Sequence, residues 1–127
     1  MLLSARLEPP DLITAAVGGV ITTDDQLEVV KFVRAAVATV GSVRLLLVLD
    51  RFAGWKPEAG ADDRALWLRD DEGVSRMAIV GDPEWRVAVL TLVGQPLRRV
   101  PIAYFATEAA ARRWLRVVRG SPYAMTT

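Results

Sequence analysis

A run of aliphatic side chains, Val43 and then Leu45 to Leu49, constrains this chain more than any other feature in it. A strand without polar alternation is buried on both faces, and strands of that kind belong to sheets covered by helical crossovers. The run therefore predicts the central strand of an α/β sheet. Ligands in open α/β sheets bind beyond the carboxyl ends of the strands, so a site is expected where the chain leaves this strand at Asp50. The stretch from Asp50 onward reads as a charged loop. It carries Phe52 and Trp55, with Leu66 and Trp67 further along.

The flanking segments fit the same architecture. Leu3, Ala5 and Leu7 alternate as a short edge strand, closed by Glu8-Pro9-Pro10-Asp11, because Pro-Pro cannot continue a ladder. Leu12 to Ile21 reads as its hairpin partner, with a bulge at Gly18-Gly19. Thr23 and Gln26 have the spacing of a capping box, and Leu27, Val30, Val33, Val37 and Val40 recur at helical steps until Gly41. A short acidic helix is expected from Ala61-Asp62-Asp63 to Gly73, carrying Leu66 and Trp67. Met77 to Val80 reads as a buried strand, and Asp82-Pro83-Glu84 as the cap of a helix over Trp85 to Val93. Val100 to Phe105 is a further strand. Thr107-Glu108 caps a last helix, with Ala110, Ala111, Trp114, Leu115 and Val118 on one face and Arg112, Arg116 and Arg119 largely opposite. Trp85 and Trp114 are expected in the core. The alternation predicts one domain over residues 1–120 with a mostly parallel sheet and about four helices, followed by a loose tail over 121–127.

The 127 residues contain neither cysteine nor histidine. That removes thiol nucleophiles, Cys/His metal sites and every scheme that needs an imidazole. No catalytic residue, metal or cofactor is expected. The acid clusters Asp62-Asp63 and Asp70-Asp71-Glu72 read as solvated helix faces, since adjacent acids on a helix point in different directions. Residues 1–83 hold 13 acids and 9 bases, whereas residues 84–127 hold 2 acids and 7 bases. The bases are not interleaved with aromatics, so nucleic acid is not an expected partner. No apolar run reaches the length of a spanning helix, and the start of the chain lacks the pattern of a signal peptide. A cytoplasmic location is the expectation.

Several pieces in order resemble one family. They are Gly19-Val20-Ile21-Thr22 with Asp25, Phe52-Ala53-Gly54-Trp55, Ala65-Leu66-Trp67, Arg76 to Asp82 with Trp85, and Tyr104-Phe105 leading to Ala111 and Trp114-Leu115. Together they resemble the SpoIIAA-like family of the STAS superfamily, over roughly residues 12–116. The resemblance implies a STAS-like mixed sheet of four or five strands with helices packed mainly on one side. It also implies one of two roles, phosphorylation-controlled protein binding or sequestration of an apolar ligand with peripheral membrane association. The phospho-switch needs a hydroxyl residue at the start of the helix after the central strand. From Asp50 to Glu72 there is no serine, threonine or tyrosine, so that switch does not carry over.

The expected function is thus a non-enzymatic domain that binds a lipid-like, apolar or amphipathic small molecule. Its candidate ligand-binding residues are Phe52, Trp55, Leu66 and Trp67. Gly54, Gly60 and Gly73 bracket the segment as hinges, which predicts a lid over Ala53 to Gly73. The alternative is a protein-interaction module or homodimer that uses the same aromatics without a small ligand. Arg112, Arg116 and Arg119 are candidates for contact with an anionic membrane surface.

Overall fold

The computed structural model describes residues 1–56, 73–93 and 100–116. Strand β1 (Leu2–Glu8) and strand β2 (Leu12–Thr22) form the antiparallel hairpin, turning through Pro9, Pro10 and Asp11. Helix α1 (Thr23–Val40) then crosses to strand β3 (Val43–Lys56), which runs parallel to β2. Strand β4 (Val74–Val80) lies parallel to β3. A 3-10 turn (Pro83–Trp85) leads into helix α2 (Arg86–Leu92), followed by strand β5 (Ile102–Phe105), parallel to β4, and helix α3 (Glu108–Leu115). The five strands lie in sequence order, β1-β2-β3-β4-β5, with β3 at the centre. This is the mixed, mostly parallel sheet expected. It carries three α-helices among the described residues.

Because β2 is parallel to β3 and β4 to β5, stepping in one direction, crossovers of one hand place α1 and α2 on the same face. There α1 and α2 meet the larger core, built on Ile13, Ala15 and Val17 of β2, Leu45 and Leu47 of β3, and Met77 and Ile79 of β4. The alternate residues Leu12, Leu46, Ala78 and Val80 point to the opposite face, where Ala111 and Leu115 of α3 cover them. The unbroken aliphatic run of β3 is explained by this arrangement, since both of its faces lie under helices.

Several expectations are corrected at the level of elements. The capping box sits one residue earlier than its spacing implied: the Thr22 hydroxyl accepts from the Asp25 N–H at 3.2 Å, and the Asp25 carboxylate accepts from the Thr22 N–H at 2.9 Å. The buried stripe of α1 is Gln26, Val29, Val30, Val33 and Ala36, set by packing on the sheet, which leaves Val40 exposed. Asp82 makes no side-chain cap bond, and the first turn after it is a 3-10 turn. Trp85 and Trp114 are half-buried and pack against the margins of the two cores. The expected helix over 61–73 lies, apart from Gly73, outside the described residues, as does the tail over 121–127.

Candidate functional site

The largest correction concerns the segment after Asp50, which continues β3 instead of forming a loop. The pairing of β2 with β3 runs Gly18 to Asp50, Gly19 to Phe52 and Val20 to Gly54, so Arg51 and Ala53 are extra residues on the β3 side. Each extra residue reverses the side-chain alternation locally. Arg51 adopts a left-handed conformation, φ 56°, and Gly54 has φ 115°. Without the first bulge Phe52 would project to the opposite face from Leu49. With it, Leu49, Phe52 and Trp55 all pack against the core beneath α1 and α2. The steps 49, 52 and 55 follow no strand period, which is why the sequence read as a loop.

The structure brings Phe52 and Trp55 together, with ring centroids 6.2 Å apart and planes inclined by 23°. It adds Trp85, whose ring meets Phe52 edge-on at 4.8 Å and 80°. A Cβ at Gly54 would meet the Trp85 Cη2 at an ordinary 3.7 Å, so it is the backbone angle, φ 115°, that calls for glycine there. Leu66, Trp67 and Arg119 lie outside the described residues, and their expected places in a site are not tested by this geometry.

Beside Phe52, between α1, α2 and the carboxyl ends of β2 and β3, lies a cleft. Its walls include Val17, Ile21, Val29, Leu47, Leu49, Val89, Leu92 and Val93, with Asp25 and Gln26 of α1 as the polar members. The cavity volume is about 30 Å³, widening to about 400 Å³ when the unfilled space out to solvent is counted. The narrow part holds no more than about one water-sized guest, and the apolar walls offer a water little to bond. A small apolar group is the better tenant.

Asp25 ties the cleft to the amino end of the chain. Its carboxylate accepts from the Leu2 N–H at 3.3 Å and pairs with the Met1 ammonium at 3.2 Å. Burial works to raise its pKa, but the bonds from Thr22 and the ammonium outweigh burial and hold it below the ordinary aspartate value. On β5 the Tyr104 hydroxyl donates to the Asp82 carbonyl at 2.7 Å. Burial, followed by the charges of Asp82 and Glu84, raises its pKa.

The opposite face of the sheet carries a second groove of about 260 Å³, floored by Thr14, Ala16, Leu46 and Val48 and bordered by Ser4, Arg6, Glu108 and Arg112. Its charges satisfy one another. Arg112 donates two bonds to the Glu8 carboxylate, at 3.2 and 3.1 Å, and a third to Glu108 at 2.7 Å. The hydrogen-bonded Arg112 guanidinium holds Glu8 down to about 2, and the two carboxylates raise the Arg112 pKa in return. Of the arginines named for a membrane surface, Arg112 is therefore held within the fold, whereas Arg116 is exposed at the end of α3.

No group of three or more Asp, Glu, His or Cys able to hold a metal occurs among the described residues. Among them no helix is long and apolar enough to cross a membrane.

The SpoIIAA-like family profile matches residues 12–116, most of the chain, and the protein belongs to the SpoIIAA-like family. Among solved structures it is similar to an uncharacterized protein of the DUF3478 family from Shewanella loihica, described as having a SpoIIAA-like fold. That likeness has a TM-score of 0.68 at 19% identity, covering 91% of this chain and 92% of the other. At that identity it bears on the fold alone. No curated protein matches the chain.

Proposed function

We propose that this SpoIIAA-like domain is a non-enzymatic binding module that takes an apolar or amphipathic small molecule into the cleft between α1 and α2. The observation that carries this reading is the apolar cleft at the carboxyl edge of the parallel strands, with Phe52 turned into its wall by a bulge. That edge is where open α/β sheets bind ligands, and such pockets are lined mainly by apolar side chains with few polar groups. Native mass spectrometry of the freshly purified protein should show a co-purifying lipid-like mass. Trp55 and Trp85 should report added ligand by a change in fluorescence, through their contact with Phe52. A bare protein mass, together with fluorescence unmoved by a panel of fatty acids and phospholipids, rejects the reading.

A second reading, a protein-interaction surface or homodimer, rests on a different observation. Val87 on α2 and Val20 on β2 are large apolar side chains 74% and 50% exposed. Apolar anchors of this kind suit an interface. Light scattering at high concentration discriminates the homodimer version: a monomer unaffected by Val87→Asp removes it. Contact with an anionic membrane, where it occurs, falls to exposed arginines such as Arg116 and not to Arg112.

A further inference from the structure

We infer that the cleft recognises a ligand by an unbranched apolar tail alone and leaves its head outside, in solvent; this rests on the cleft being a ligand site. The two polar residues on its wall are committed to the protein. The Asp25 carboxylate accepts from the Thr22 and Leu2 N–H groups and pairs with the Met1 ammonium. Gln26 is buried and is likewise engaged within the fold. The surface that the described walls turn toward a guest is wholly apolar. A polar head carried inward would lose its water and meet no partner, at a cost that rises steeply for a charged one. Neutral, anionic and cationic heads are therefore all better left at the mouth, and a head that stays in water does not distinguish one ligand from another.

The tail is read more strictly. The narrow part of the cleft, about 30 Å³, takes a single slender chain end. Its walls Leu47, Val29, Val89 and Val93 are buried and packed into the larger core, and a close-packed interior resists swelling to admit more. A straight chain can put its terminal methyl group into that space and lay the rest of its length toward the open end. A tert-butyl end cannot enter without moving the core.

Chemical-shift titration of the full 127-residue chain at pH 7 with 1-octanol, nonanoate and octylammonium isolates the head, because the apolar tail beyond it has one length in all three. Their dissociation constants should agree within about fivefold, with the largest shifts at the methyl groups of Val17, Val29 and Val89. A wider spread, in either order, overturns recognition by the tail alone and leaves the ligand site standing. The tail is tested by 5,5-dimethyl-1-hexanol, a branched-end isomer of octanol, which should bind at least about tenfold more weakly than 1-octanol. A smaller difference overturns the selection for an unbranched tail and again leaves the site. No binding by any of the four, or shifts centred away from the cleft, overturns the ligand site and the inference with it. These measurements use the unaltered protein and need no variant to fold. Leu92→Trp, which fills a half-buried wall position, should abolish octanol binding, and retained binding places the ligand elsewhere.

Discussion

Glu8 shows how much of this molecule rests on single side chains that join distant parts of the chain. It is the last residue of the first strand, yet its carboxylate holds both terminal nitrogens of Arg112 on the last described helix. Its pKa falls from 4.5 to about 2 through that bond, so it favours the folded state while ionised. A group whose folded pKa is depressed contributes stability that is present above its unfolded value and lost as pH falls. The Glu8 contribution should therefore be complete above about pH 4.5 and disappear toward pH 2. Because the pair is partly open to solvent, its worth is about 1 kcal/mol. Chemical denaturation of the protein and of Glu8→Gln should differ by that amount at pH 7, and the difference should close as pH is lowered. A gap that persists at pH 2 would show that the variant acts through packing. Nothing in the sequence near Glu8 signals this pair, since its partner lies 104 positions away. Local spacing captures i,i+4 pairs such as Glu108 with Arg112 and is blind to the rest.

At the scale of elements, the free backbone groups at helix ends are met by particular side chains. The capping box of α1 uses Thr22 and Asp25, so Thr22→Ala should cost about 1 kcal/mol while Thr22→Ser, which keeps the hydroxyl, costs markedly less. Equal losses in thermal unfolding would mean that the Thr22 hydroxyl does not cap the helix. Both threonines are followed three positions later by a residue able to complete a box, so sequence alone could not choose between them. The carboxyl end of α3 is secured from the sheet. Arg44 on β3 donates to the Leu115 carbonyl at 2.8 Å and pairs with Asp11, and Arg76 on β4 donates to the Trp114 carbonyl at 3.1 Å with its guanidinium 4.6 Å from the Trp114 ring centre. These two side chains satisfy carbonyls that a helix cannot satisfy itself. Arg44→Met keeps the aliphatic stem and removes the donors, and should cost about 2 kcal/mol in denaturant unfolding. A loss no larger than that of an exposed control, Arg86→Met, would make the bond incidental. In the sequence Arg44 reads only as an interruption of an apolar run.

Over the whole molecule, the part legible in the sequence is the part with a regular period. The hairpin, the long helix and the aliphatic strands follow periods of two and 3.6, and their order implied a parallel sheet with helical crossovers. For the candidate site, the sequence shows the aromatics Phe52 and Trp55 but not their arrangement, because two bulges break the period of β3 and disguise the strand that holds them. Gln26 reads as a capping residue and Asp25 only as part of the family resemblance, because their position over the cleft depends on long-range packing. The expected lid over Ala53 to Gly73 is tested here only at its start, where the chain is strand as far as Lys56. That start has a particular place in the sheet. Pairing of β3 with β4 ends at Val48 with Val80, and pairing of β1 with β2 ends at Leu2 with Val17. Among the described residues, Gly19 to Thr22 and Phe52 to Lys56 thus extend beyond the five-stranded sheet as a two-stranded parallel ribbon. A ribbon with one partner per strand opens at lower free energy than a central strand bonded on both sides. Amides from Phe52 to Lys56 should exchange hydrogen well before those of Leu45 to Leu47, which lie between β2 and β4. Exchange as slow as that of the central strand would mean that the ribbon opens only with global unfolding, leaving no local motion to admit a ligand. Faster exchange that slows when octanol is added would link the ribbon to the cleft, because Phe52 belongs to both.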